Sequence, residues 1–184
     1  MAASCRVAAT VMLVSVFASS SSTVAASDAG GPGSTPVVMA PHARVRSTDD
    51  RLGTLINAGT AHSETFRALV DQIGKTDGIV YIGDGRCPRT VRACLLWSIT
   101  TMGPYRVLRI LVDERDRDPE LIGSIGHELH HALEVLGRRQ ITTDSGIAAL
   151  YHRIGSVRGL SVETEGAIKA GDAVRKELRH RRER

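Results

Sequence analysis

The chain has 184 residues, of which 42% are apolar, 24% charged and 3% aromatic, with a formal net charge of +4. That length suits one domain with an aliphatic core. So few aromatic side chains exclude a broad stacking platform for single-stranded nucleic acid, and much of the mild positive excess gathers in the C-terminal RKELRHRRER, where it suits the end of a helix.

The N-terminus carries one cation, Arg6, then an apolar run from Val7 to Ala18, a serine patch, and the small residues Val24-Ala25-Ala26. That order is the layout of a signal peptide over 1–26. The apolar run is short for a membrane span, so export to a periplasm or medium is expected after cleavage, with an N-terminal membrane anchor as the alternative. Residues 27–48 are rich in Gly, Pro, Ser and Thr and read as a flexible linker. The folded domain is expected over 49–184.

Within that domain, DDRLGTLINA (49–58) allows a turn or two of helix. Phe66, Leu69, Val70 and Ile73 recur at helical spacing, with Ser63 as cap and Gly74 or Gly78 as stop. GIVYIG (78–83), TVRACLLWSIT (90–100) and YRVLRILVD (105–113) read as strands, and Gly103-Pro104 supplies the turn between the last two. Cys87 and Cys94 bracket a strand start. Export favours a disulfide between them over a pair of free thiols, and their spacing does not suit a zinc ribbon. Asp118-Pro119-Glu120 starts a helix that runs to about Leu136. Shorter and longer helices follow over 144–155, capped by Asp144 or Ser145, and 161–181. The sum is an α+β domain: N-terminal helix, a sheet of three to four strands, then a central helix and two more.

That central helix carries SIGHELHHALEVL (124–136). His127 and His131 are four residues apart and project from one face, one turn apart. Two imidazoles so placed can grip one Zn2+, and Glu128 lies on the edge of the same face, within reach of a water on that ion. This is H-E-x-x-H, the zinc metalloprotease signature. His130 falls about a hundred degrees from His131 and is not a ligand. The flanks Ile122, Ile125, Leu129, Ala132, Leu133 and Leu136 nearly bury the helix. Polar residues there need a partner, and a metal provides one.

Zinc needs a third protein ligand. Glu134, Asp144, His152, Glu163 and Glu165 lie downstream. Read as a helix, 161–181 places Glu163 at the head of a buried stripe with Ala167, Ala170, Val174 and Leu178. Glu165 then heads a solvated stripe with Lys169, Asp172 and Lys176. Glu163 is the expected ligand and Glu165 the substitute if the register differs. Gly166, Ala167 and Ala170 are small enough for this helix to approach the histidine helix closely. Glu134 or Asp144 can orient the histidines.

These motifs resemble those of gluzincin zinc metallopeptidases. ETEGA (163–167) is similar to the E-x-x-A segment that supplies their third ligand, with Gly166 where alanine is usual, and GHELHHALE is similar to segments of small exported bacterial proteins. The likeness spans roughly residues 105–175. It implies a zincin-like fold in which strand 105–113 is an edge that binds an extended peptide by strand addition. It also implies an oxyanion-stabilising residue, for which Tyr151, His152 and Tyr105 are available; Tyr151 is the expected catalytic residue, and it fits equally as a core residue packed with Ile147 and Ile154. The expected function is a zinc-dependent peptidase with Glu128 as general base. The alternative is a non-catalytic exported zinc domain that is structural or binds a partner.

Overall fold

A computed structural model describes residues 44–87, 91–113, 118–158 and 161–183. The signal-peptide and most of the linker reading falls outside them. The expected α+β order holds, with additions at both ends. It runs β1 (Val45–Ser47), α1 (Asp50–His62), α2 (Glu64–Gly74), β2 (Gly78–Asp84), β3 (Ala93–Met102), β4 (Tyr105–Val112), α3 (Asp118–Leu136), α4 (Asp144–Ile154), β5 (Ser156–Arg158), β6 (Ser161–Glu163) and α5 (Glu165–Arg182).

The folded domain therefore begins earlier than residue 49. Val45–Ser47 pairs in parallel with Val80–Ile82, and Val45 is buried. Asp49 caps α1 by accepting from the Leu52 N–H at 2.9 Å, and Ser63 caps α2 by accepting from Phe66. Helix α4 is capped by Thr143 rather than Asp144 or Ser145.

The strand order is β1-β2-β4-β3, with β1, β2 and β4 parallel and β3 antiparallel to β4. Strand 105–113 is thus not an edge. It lies between β2 and β3, so both sides of its backbone ladder are occupied, and β3 takes the edge. A peptide cannot add to β4. The β3–β4 hairpin turns at Gly103-Pro104. Gly103 sits at φ +57°, where a side chain would be strained.

Alternation along β4 turns Arg106, Leu108, Ile110 and Val112 into the core while Tyr105 and Arg109 stay exposed. The core joins these to Val80 and Ile82 of β2, Phe66, Val70 and Ile73 of α2, and Leu121, Ile125, Leu129 and Ala132 of α3. It is aliphatic, as the composition requires.

Arg106 is a charged side chain in this layer. It is 2% exposed and donates to Asp77 and to the carbonyls of Leu136 at 2.6 Å, Arg138 at 2.9 Å and Ile141 at 3.0 Å. It therefore satisfies acceptors at and beyond the C-terminal end of α3, where a cation also suits the helix dipole. Cys87 and Cys94 form a disulfide, as expected, and tie the segment after β2 to the start of β3. No helix among the described residues is long and apolar enough to cross a membrane.

Candidate metal centre

Helix α3 presents His127 and His131 one turn apart, as the spacing requires. Facing them is Glu163, whose Oε2 lies 2.8 Å from His127 Nε2 and 3.6 Å from His131 Nε2. One ligand atom from each of the three residues falls within 4.8 Å of the others. Tetrahedral zinc with bonds near 2.0–2.1 Å sets its ligand atoms about 3.3 Å apart, and the two distances from Glu163 bracket that value. Two imidazoles and a carboxylate also form a donor set of a common catalytic zinc type. The His-His-Glu group could hold a metal ion.

Glu163 is the expected residue on an unexpected element. It ends strand β6 and does not belong to a helix. The Thr164 side chain accepts from the Ala167 N–H, which fixes Thr164 as cap and starts α5 at Glu165. Residues 161–163 pair instead with 156–158, Val162 against Val157. The buried stripe of Ala167, Ala170, Val174 and Leu178 is real, but Glu163 reaches the group from the hairpin that leads into it. Glu165 points to solvent and pairs with Lys169 at 2.6 Å.

Small residues let α5 lie close to α3. A Cβ on Gly166 would meet the His130 ring at 2.4 Å, and one on Gly171 would meet His127 Cβ and the Gly123 carbonyl, each at 3.1 Å. A side chain at 166 would therefore have to displace the His130 ring, which lies against α5.

Glu134 orients His131. Its Oε2 lies 2.9 Å from His131 Nδ1, which leaves Nε2 to face Glu163 and His127. Burial works to raise the Glu134 pKa, but hydrogen bonds to His131 and Thr164 outweigh it and hold the carboxyl below its usual range. Burial works against a charged His131, yet bonds to Glu134 and Glu163 and the nearby Glu128 raise its pKa to about 9. Negative charge thus gathers around the two imidazoles, and a bound cation would replace a proton there. Glu128 accepts from the Leu95 N–H at 2.7 Å, and burial raises its pKa against the pull of His131 and His127.

The other expected residues are placed differently. Tyr151 is buried, and its hydroxyl donates to the His131 carbonyl at 3.0 Å. Its ring meets the His131 ring edge-on, with centroids 5.3 Å apart. In this geometry the ring packs on His131 and the hydroxyl is bonded to the backbone of α3. His152 is exposed. Tyr105 is exposed under the Arg44 guanidinium. Asp144 meets the backbone of β3. It accepts from the Ile99 N–H at 2.9 Å. Sequence reasoning passed over Trp97, which is 43% exposed on β3 and stacked on Tyr151. Its signal was its being the single tryptophan, in a strand of an aromatic-poor chain.

Set against protein-family models, curated proteins and solved structures, the chain matches none of them.

Proposed function

We propose that the domain is a zinc-dependent hydrolase acting on peptide bonds, with His127, His131 and Glu163 as ligands and Glu128 as general base. The observation that carries this reading is the facing of Glu163 onto the two histidine Nε2 atoms, with Glu128 on the same helix beside them. Bound there, Zn2+ would supply Lewis acidity toward a water and toward the scissile carbonyl oxygen.

The chain's own residues do the rest. Glu128 takes a proton from the attacking water and returns it to the leaving nitrogen. The Leu95 N–H holds the Glu128 carboxylate toward the edge of the sheet while it does so. Glu134 holds His131 in its tautomer, and Tyr151 packs against its ring and bonds its carbonyl. A second reading, a non-catalytic exported zinc domain, draws on that same Leu95 bond, because a purely structural side chain would also make it.

Zinc content tests the ligand set. The native domain is expected to bind one zinc per chain, and His131→Ala or Glu163→Ala to weaken binding strongly. Glu165→Ala should leave it unchanged, since it loses an exposed ion pair worth only about 0.3–0.5 kcal/mol. If Glu165→Ala strips the metal and Glu163→Ala does not, the assignment is wrong.

The chain is further read as exported, and the Cys87–Cys94 disulfide supports this because such bonds persist in oxidising compartments. Intact mass after expression in a secreting host should show loss of about the first 26 residues. It should also lie about two units below the fully reduced value. A soluble product retaining Met1–Ala26 would overturn the export reading.

A further inference from the structure

We propose that Trp97 forms an apolar side-chain subsite beside the metal group, selecting peptides with an aromatic or large aliphatic residue next to the bond that is cut. This rests on the zinc-peptidase reading above and names its substrate class.

The placement follows from the edge strand. Leu95 pairs with Ile110 and Ile99 with Leu108, so β3 uses two more residues than β4 between those pairs. The extra residues bulge, and Trp97 is among them. It stands two residues after Leu95, whose N–H meets Glu128. One face of the indole stacks on Tyr151, with centroids 5.3 Å apart and planes 16° from parallel. Tyr151 is itself fixed against His131 by its ring and its hydroxyl. The indole therefore rests on a rigid base two ring contacts from a metal ligand, and at 43% exposed it keeps a large apolar surface open to solvent.

The same strand limits what else can recognise a substrate. The N–H groups of Leu95 and Ile99 are held by Glu128 and Asp144. A peptide laid along this stretch finds those ladder donors occupied. Recognition then falls to side chains, and a flat, supported indole suits stacking with an aromatic ring or contact with an aliphatic one.

The test uses the zinc-loaded mature protein and two probes, the hydroxamates of N-acetylphenylalanine and N-acetylglycine. Affinities are measured by calorimetry, zinc content by atomic emission, and the single indole by fluorescence. The phenylalanine probe should bind the native protein about tenfold tighter than the glycine probe, and it alone should perturb the indole emission strongly. In Trp97→Ala the preference should fall to within about twofold, and Trp97→Phe should restore most of it. Zinc content and affinity for the glycine probe should not change in either variant. Equal affinity of the two probes for the native protein, or an undiminished preference in Trp97→Ala, overturns the subsite while leaving the metal reading intact. If Trp97→Ala does not fold, the native ratio and the Trp97→Phe variant still decide. A native protein that takes up no zinc overturns the metal reading and this inference with it.

Discussion

Glu128→Gln is expected to hold zinc as the native protein does and to cleave peptides about 10²–10⁴-fold more slowly. Glutamine keeps the size of the side chain and an oxygen that can still accept from the Leu95 N–H, so the bond at 2.7 Å survives. It removes basicity and one buried negative charge, so folding should be unchanged or slightly favoured in the metal-free protein. Cleavage by the native domain should vanish with a chelator and return with added zinc. The measurement is turnover of a broad peptide library alongside zinc content. A native protein that binds one zinc and cleaves nothing, with a mutant indistinguishable from it, rejects the peptidase and leaves the structural zinc domain.

The second large effect concerns folding. Arg106→Met should destabilise the domain by about 3–5 kcal/mol, because it strips the partner from a buried polar network. Four carbonyls, those of Val135, Leu136, Arg138 and Ile141, and the Asp77 carboxylate lose the same guanidinium. That is a large share of the 5–15 kcal/mol typical of a whole domain, so urea unfolding should show a sharply lower midpoint or no cooperative transition. Asp77→Asn should cost less, since the carbonyl bonds remain. Its effect should also depend on pH. The hydrogen bond from Arg106 holds the Asp77 carboxyl below its usual range. A lowered folded-state pKa gives stability that is full above the unfolded value and is lost as pH falls through the folded one. The native protein's advantage over Asp77→Asn should therefore be constant near neutrality and shrink in acid. A midpoint for Arg106→Met within experimental error of the native one would contradict this account.

Much of α3 was legible because two signals coincide there. An apolar 3.6 period and a four-residue histidine spacing both require one helix face. Glu163 was reached by a helical periodicity that holds only from Glu165 onward. The β5–β6 hairpin nonetheless delivers the residue to the head of the same stripe. Helix α1 was read short, since Gly53, Thr54, Gly59 and Thr60 are poor helix formers. Its length comes from packing, with Leu52, Leu55 and Ile56 all buried. The rest was hidden for a topological reason. Whether strand 105–113 is an edge depends on which strand lies on either side of it, and neither propensity nor alternation carries that information. The bond from Arg106 to Asp77, the commitment of the Tyr151 hydroxyl and the Trp97 stack are contacts between distant stretches, which no local pattern encodes.

The occupied edge of β3 has a meaning apart from any substrate. A bare edge strand is a template on which a second copy of the same chain can build, and sheets left open there tend to stack into aggregates. Here Glu128 and Asp144 cover the N–H groups of Leu95 and Ile99, and the bulge between them breaks the flat repeat an incoming strand would need. At the far side, among the described residues, β1 is a short strand of three paired residues, and short edge strands blunt such pairing. The carboxylate proposed to move protons would thus also keep neighbouring molecules apart, and an apolar residue at position 128 would leave the Leu95 N–H open to an incoming strand.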